Sequence, residues 1–184
     1  MDHLGIVRVV AVGCALGSAV ATSFAARYPD RVDALVMANP EIRLSEAARH
    51  SLRQRAALIR ASGMAGLLPE AVDKIFGGLP HDERYKRYAR RFAAMDPEAH
   101  ARSILGLVDA DTSTQITTIR CPTLLVPAVH DIFAAPGSAA GIAQLLFDVE
   151  TTLLRDASHF GPYQAPVAFA GIVEDFIARR LVAL

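Results

Sequence analysis

Two runs of almost continuous apolar residues lie near the start of the chain, at Val7–Val12 and Val32–Ala38. Such unbroken runs are typical of strands buried on both faces of a parallel sheet. Small residues between them predict a helix over about Leu16–Arg27, and Tyr28-Pro29-Asp30 ends it. The pattern therefore predicts a strand–helix–strand unit.

From Glu41 to about Thr118 the apolar positions recur at helical spacing and charged residues become frequent. Gly and Pro residues separate the segments, and Asp96-Pro97 has the form of a helix start. The predicted helices are Leu44–Ser62, Pro69–Phe76, Asp82–Met95 and Pro97–Asp109. We therefore expect an all-helical insertion, residues 41–118, within a core formed by residues 1–40 and 119–184.

Strand patterns return at Pro122–Val126 and Glu150–Arg155, and helices are predicted near Pro136–Phe147 and Pro166–Arg180. Strands that alternate with helices indicate an α/β fold with a mostly parallel sheet, right-handed crossovers and helices on both faces. With 184 residues, 52% of them hydrophobic, the chain is long enough to bury such a core.

Charge and cysteine content narrow the functional class. The 19 basic and 19 acidic residues balance, which argues against a general nucleic-acid or membrane-surface binder. Cys14 and Cys121 form no disulfide framework and no metal-ligand spacing. Since we find no leader segment and no apolar run of transmembrane length, we expect a cytoplasmic protein. No phosphate-cradling glycine loop is present and the histidines lack ligand spacing, so we expect neither cofactor nor metal.

The segment Gly13-Cys14-Ala15-Leu16-Gly17 has the frame of a nucleophile elbow, Gly-x-nucleophile-x-Gly between a strand and a helix. Ala15 holds the nucleophile position but has no atom that can attack a substrate. It is either an engineered replacement of serine or a natural loss. Cys14 is the nearest alternative nucleophile, but we expect it to pack as a buried thiol. Ser18, one helical turn further on, is a poorer candidate.

Asp131 and His159 follow the elbow in the chain order that an elbow enzyme needs. Asp131 comes just after a predicted strand, and is either an orienting acid or a turn aspartate that binds local amides. His159 lies among small residues in a loop, and is either a general base or a surface histidine. His130 is interpreted as a bystander.

The helical insertion is rich in basic side chains. One of them could bind a carboxylate, although a solvated face balanced by acidic residues is the favoured interpretation. The residues considered are Arg49, Arg53, Arg55, Arg60, Arg84, Lys86, Arg87, Arg90 and Arg91.

Four stretches in this order resemble the C-terminal two-thirds of an α/β hydrolase, nearest to enzymes of the 3-oxoadipate enol-lactonase type. They are Val12–Ser18, Ala25–Val32, the pair Cys121-Pro122 with the strand that leads to His130-Asp131, and Ala157–His159. The resemblance implies a partial α/β-hydrolase fold, a helical cap over residues 41–118 and a small ester or lactone substrate. It also implies His159 as base, Asp131 as orienting acid and the Leu16 backbone amide as an oxyanion donor.

Two departures from the family pattern shape the functional prediction. The family has serine where Ala15 stands, and a preceding segment that pairs with the strand Val7–Val12 and supplies a second oxyanion amide. We therefore expect another chain, a second copy or a separate partner, to cover that edge strand. The sequence predicts a lactonase- or esterase-like hydrolase that works with a partner, or else an inactive pseudo-hydrolase that serves as a binding or structural subunit.

Overall fold

A computed structural model describes residues 1–134 and 136–181. Its centre is a four-stranded sheet with the strand order β1-β2-β3-β4. All three strand pairs are parallel. The strands are β1 (Val9–Cys14), β2 (Val32–Ala38), β3 (Thr123–Val126) and β4 (Val149–Thr151).

Helices connect the strands. They are α1 (Leu16–Arg27), α2 (Glu46–Ser62), α3 (Glu70–Phe76), α4 (Glu83–Ala93), α5 (Pro97–Val108), α6 (Ser113–Ile116), α7 (Pro136–Ala143), α8 (Gly161–Gln164) and α9 (Pro166–Leu181). Side chains of Ser45, Asp82 and Asp96 accept amide hydrogen bonds at the starts of α2, α4 and α5. These caps explain why the three helices begin near the predicted positions.

Both faces of the sheet are covered, because successive side chains of a buried strand point to opposite sides. On one face Leu35 and Met37 of β2 belong to a core cluster that includes residues of α1 and α7. On the other face Ala34 and Val36 pack in a cluster with Phe176 of α9. The expected α/β fold with helices on both faces is confirmed.

The helices between β2 and β3 form a third hydrophobic cluster, separate from the two on the sheet. Ile59 of α2, Phe76 of α3 and Phe92 of α4 are buried in it, and α5 contributes Ala101 and Ile104. Phe160, which precedes α8, packs against this cluster. The β2–β3 helices therefore lie against the loop that carries His159.

The first strand differs from its prediction. The expected strand was Val7–Val12, whereas pairing with β2 runs from Val9, opposite Val32, to Cys14, opposite Ala38. The Val7 carbonyl instead accepts a hydrogen bond from Arg31 Nε at 2.6 Å. Gly13 and Cys14 therefore belong to β1, because they pair with Met37 and Ala38. The run of apolar residues in the sequence does not show where this pairing stops.

The fourth strand also differs from its prediction. The strand expected at Glu150–Arg155 is shorter, because β4 pairs with β3 only over Val149–Thr151. β1 lies at one edge of the sheet, where Val12 is 50% exposed. Among the described residues, no helix is long and apolar enough to cross a membrane.

Candidate active site

The turn from β1 into α1 has the backbone of a nucleophile elbow. Ala15 adopts φ 49° and ψ −118°, a region that a residue with a Cβ rarely enters. Its amide donates to the Ala38 carbonyl at 3.0 Å, which ties the turn to the end of β2. The strained conformation is present at position 15 although its side chain is only a methyl group.

The two glycines of the elbow have different reasons to be there. A Cβ on Gly13 would lie 2.2 Å from the Gly17 carbonyl oxygen, so the strand and the helix approach too closely for any side chain. A Cβ on Gly17 would meet nothing within 4 Å. Only Gly13 is therefore required by the packing, whereas the sequence pattern treats the two alike.

The loops that follow β3 and β4 are hydrogen-bonded to one another. Ala128 forms a parallel bridge with Leu154, and the Val129 amide donates to the Leu154 carbonyl at 3.0 Å. The His130 amide donates to the Ala157 carbonyl at 3.1 Å. These contacts bring Asp131 and His159, which are 28 positions apart in the chain, to the same end of the sheet.

Asp131 and His159 are in direct contact. His159 Nδ1 lies 3.1 Å from both carboxylate oxygens of Asp131. Since an ionised carboxylate only accepts hydrogen bonds, Nδ1 carries a proton, and the neutral ring therefore has its lone pair on Nε2. The ring packs against Phe133 and Phe160, with centroid distances of 4.7 and 5.0 Å.

The Asp131 carboxylate is held in its charged form although the residue is only 4% exposed. Burial raises the pKa of Asp131. Hydrogen bonds from His159 and from the Phe133 and Ala134 amides lower it by a larger amount, so the pKa lies below its usual value. The two amides donate to Oδ1 at 2.8 and 3.1 Å. Asp131 therefore accepts hydrogen bonds from local turn amides and also contacts the histidine. It makes the contacts expected of a turn aspartate and those expected of an orienting acid.

Asn39, which the sequence analysis did not identify, is part of this site. The side chain is fully buried, and its Nδ2 donates to Asp131 Oδ2 at 2.8 Å and to the Ser158 carbonyl at 3.1 Å. Its Oδ1 accepts from the Gly161 amide at 3.3 Å. Asn39 has φ 48°, and asparagine tolerates this conformation better than most residues. A polar residue directly after a buried strand is the signal that could have identified it.

Gln164 is a second residue that the sequence analysis missed. It is 1% exposed, and its Oε1 accepts from the Ser158 amide at 2.8 Å and from the Phe160 amide at 3.2 Å. Its Nε2 donates to the Ile75 carbonyl of α3 at 3.1 Å. Because these bonds bracket His159, Gln164 fixes the loop that carries the imidazole.

The elbow also contacts this loop. Cys14, the residue before Ala15, donates from Sγ to the His159 carbonyl at 3.8 Å. Burial, with a smaller contribution from the Asp131 charge, raises the pKa of the Cys14 thiol to about 12. The thiol therefore stays protonated near neutral pH, which makes it a poor nucleophile.

The remaining candidates lie around the pair. Ser18 is buried, and its hydroxyl lies 3.2 Å from each of the Gly13 and Ala38 carbonyls, to which it donates. His130 is exposed, and its carbonyl accepts from Ser158. Glu41 is half-buried, and burial raises the pKa of its carboxyl. Leu16 is the first residue of α1, where backbone amides have no partner within the helix and the helix dipole favours negative charge.

No cluster of His, Cys, Asp and Glu residues that could hold a metal ion occurs in the part of the chain that the structure describes. The site thus consists of an imidazole–carboxylate pair, a strained turn and a helix N-terminus. This arrangement can take up a proton at Nε2 and can stabilise a developing oxyanion.

Comparison with known proteins identifies the family of the fold. The family model for the alpha/beta hydrolase fold matches residues 1–166. The chain therefore belongs to the α/β-hydrolase family, as its sequence motifs indicated.

Relatives of known name lie within the same family. The 3-oxoadipate enol-lactonase 2 of Acinetobacter baylyi is 26% identical over 185 residues, which cover 97% of this chain and 67% of that protein. RutD of Caulobacter sp., a protein named for carbamate hydrolysis, is 26% identical over 186 residues, which cover 97% of this chain and 68% of that protein.

A solved structure gives the same result for the fold. The enol-lactonase from Burkholderia xenovorans has a TM-score of 0.84 and 26% identity, with 97% of this chain and 68% of that chain covered. The chain thus spans about two thirds of the length of these relatives.

Proposed function

We propose that this chain carries a hydrolase-type site for small carboxylic esters or lactones, with His159 as general base and Asp131 as its orienting acid. The observation that carries the proposal is the buried Asp131 carboxylate, which accepts hydrogen bonds from Asn39, from the Phe133 and Ala134 amides and from His159. A carboxylate needed only for a turn would not require the imidazole. The likeness to enol-lactonases supports the substrate class.

The proposed roles follow from the hydrogen-bond geometry. Asp131 holds the proton on Nδ1 and stabilises the imidazolium, so Nε2 can take the proton of an attacking hydroxyl and pass it to the leaving oxygen. The Leu16 amide, at the N-terminus of α1, donates to the oxyanion that forms on the attacked carbonyl. The nucleophile position is occupied by Ala15, so no protein hydroxyl is available there.

The missing hydroxyl sets the expected rate. In a serine triad enzyme, loss of the nucleophile costs about a million-fold in kcat. Since the Cys14 thiol has a pKa raised to about 12, it does not replace the missing group. We therefore expect the isolated chain to hydrolyse ordinary esters too slowly for detection.

The substitution Ala15→Ser tests the proposal, because the strained turn already has the backbone that presents a nucleophile. We expect Ala15→Ser to hydrolyse members of a panel of short esters and lactones, measured with and without candidate partner proteins. In that background, His159→Ala should abolish turnover. Asp131→Asn should lower it by about ten thousand-fold, because asparagine favours the wrong imidazole tautomer.

The matched control is His130→Ala in the Ala15→Ser background, since His130 is adjacent to Asp131 but its side chain makes no hydrogen bond in the described structure. It should leave turnover unchanged. Turnover by the unmodified chain that disappears with His159→Ala would instead indicate chemistry without a serine. No turnover in any combination would overturn the enzyme proposal.

A non-catalytic role is the second candidate, and the methyl group of Ala15 favours it. In that case the chain is a pseudo-hydrolase, retained as a binding or structural subunit. It would bind esters or a partner protein, and Ala15→Ser would produce no turnover.

We also propose that another chain pairs with the open edge of β1, either as a second copy or as a separate partner that completes the sheet. Support comes from the unpaired side of β1 in the described structure and from exposed apolar residues beside it: Leu4 is 73%, Val7 72% and Val12 50% exposed. An apolar edge strand of this kind invites pairing with another strand.

Two further assignments remain proposals. The β2–β3 helices, within residues 41–118, would act as a cap that selects the substrate. Their packing against Phe160, beside His159, supports this assignment.

A cytoplasmic location is supported by the free thiols of Cys14 and Cys121.

A further inference from the structure

The loop that carries His159 is held by two different parts of the molecule. Asn39, directly after β2, forms hydrogen bonds with the residues on either side of the loop centre. At the centre itself the partners are different. The His159 amide donates to the Ile75 carbonyl of α3 at 3.3 Å, and the Phe160 amide donates to Gln164 Oε1 at 3.2 Å. The amides at the imidazole are therefore bound by α3 and α8.

The C-terminal end of α3 lies directly on this loop. The Ile75 carbonyl, which has no partner within its own helix, accepts from the His159 amide and also from Gln164 Nε2 at 3.1 Å. Gly77, the residue after α3, packs so closely that a Cβ there would overlap a carbonyl oxygen of the β3 loop and a hydroxyl of the β4 loop. The two loops that meet at the candidate site thus share one contact with α3.

Arg84, in the first turn of α4, connects the β2–β3 helices to the end of α8. Its Nη1 donates to the Gln164 carbonyl, and the Tyr163 hydroxyl donates to the Arg84 carbonyl at 2.9 Å. Asp82 orients the guanidinium, because its Oδ2 accepts from Nε at 2.9 Å and from Nη2 at 2.6 Å. The last carbonyls of a helix lack partners within it, so Arg84 supplies a hydrogen bond that α8 cannot make for itself.

These bonds have local consequences for the imidazole. The Arg84 side chain is 48% exposed, so its ion pair with Asp82 contributes little to the stability of the fold. Gln164, in contrast, is buried, and its side chain binds the amides on both sides of His159. A displacement of Gln164 would therefore move the imidazole relative to Asp131.

From these contacts we propose that Arg84 is a positioning residue. Through Gln164 it holds the His159 imidazole within hydrogen-bonding distance of Asp131. The β2–β3 helices then have a task besides any contact with a substrate, because the imidazole is in place only while α3 and α4 are docked on the loop. The role in catalysis rests on the proposed hydrolase site.

The test observes the imidazole itself and needs no turnover. In the full chain with 15N-labelled histidine, NMR at alkaline pH, where imidazole is neutral, shows which ring nitrogen carries the proton. His159→Ala identifies the His159 signals. We expect the unmodified chain to be protonated at Nδ1. Arg84→Met should give a mixture of both tautomers, and exchange of the His159 amide proton should become roughly tenfold faster, because a hydrogen bond that restrains Gln164 is lost.

Matched variants separate positioning from folding. Arg87→Met removes an exposed arginine from the same helix and should change neither the tautomer nor the amide exchange. Arg84→Lys can still donate to the Gln164 carbonyl and should retain most of the Nδ1 tautomer. Because the Arg84 side chain is half-exposed, thermal melts of the three variants should nearly coincide with that of the unmodified chain.

Kinetics in the Ala15→Ser background gives a second measurement. Arg84→Met should lower kcat roughly tenfold and change KM little, because a misplaced imidazole slows proton transfer. A raised KM with unchanged kcat would overturn the inference. So would an unaltered imidazole in Arg84→Met, or the same alteration in Arg87→Met. A change seen only together with a large drop in melting temperature would show a merely structural role.

This inference and the proposed function can fail separately. If Ala15→Ser shows no turnover but the tautomer responds to Arg84→Met, the hydrolase is rejected and the positioning of His159 by Arg84 is kept. Turnover by Ala15→Ser with a tautomer that ignores Arg84→Met would reject the positioning role and keep the hydrolase.

Discussion

At position 15 the backbone has the strained conformation of a nucleophile elbow, whereas the side chain is a methyl group. The conformation depends on neighbours of position 15, because the Ala15 amide bonds the end of β2 and Gly13 lets α1 approach the strand. A reactive side chain makes no contribution to this packing. The elbow can therefore persist without the group for which it is usually built.

The Asp131–His159 contact predicts a pH dependence of stability at the residue scale. The pKa of Asp131 is lower in the folded chain than the unfolded value of about 3.9. Its stabilising contribution is therefore complete above about pH 4 and is lost as pH falls through the lower, folded pKa. In urea unfolding, Asp131→Asn should cost more free energy at pH 7 than at pH 3.

The control for this prediction is Asp156→Asn, at an exposed aspartate in the same loop region as His159. Its effect on the free energy of unfolding should be the same at both pH values. If the cost of Asp131→Asn in free energy of unfolding were also the same at pH 7 and pH 3, the charged form of Asp131 would not be what stabilises the fold.

At the scale of elements, the packing of α1 on β1 depends on a single glycine. Gly13 is buried in the strand, at the point where the helix carbonyl of Gly17 comes nearest. Gly17 itself lies in α1 with open space around its Cα. The same residue type at two ends of one motif therefore has two different energetic roles.

Alanine substitutions at these positions should change stability in opposite directions. Gly13→Ala places a methyl group against backbone and should lower the free energy of unfolding by about 3 kcal/mol. Gly17→Ala removes a poor helix former and should raise it by about 0.5 kcal/mol. Urea unfolding of the two variants measures both effects. Equal effects would show that the close approach at Gly13 does not exist.

At the scale of the whole molecule, the sheet has two unlike edges. β1 is an apolar edge strand in which Val12 is exposed, whereas β4 is short and carries Glu150, which accepts a hydrogen bond from Arg180 of α9. Short strands and charged residues protect an edge against pairing, and β1 has less of this protection. Association through β1 is therefore the expected behaviour of the chain.

Light scattering coupled to size exclusion tests this expectation across a range of chain concentrations. We expect a mass of twice one chain, or larger, and a shift toward the monomer for Val12→Lys, since a lysine on an edge strand opposes pairing. Val167→Lys, at a residue that is 86% exposed on α9, should leave the mass unchanged. A monomer at every concentration, or equal dissociation by both variants, would contradict the proposed pairing.

The sequence alone determined the order of strands and helices, because the apolar period depends on local burial. It also indicated Ala15, Asp131 and His159 as one group, because the elbow frame, the aspartate and the histidine follow one another in the order of the α/β hydrolases that the chain resembles. The tertiary structure decided the remaining features. Asn39 and Gln164 act through bonds to residues distant in the chain. Such contacts depend on packing between segments, which no local pattern of residues encodes.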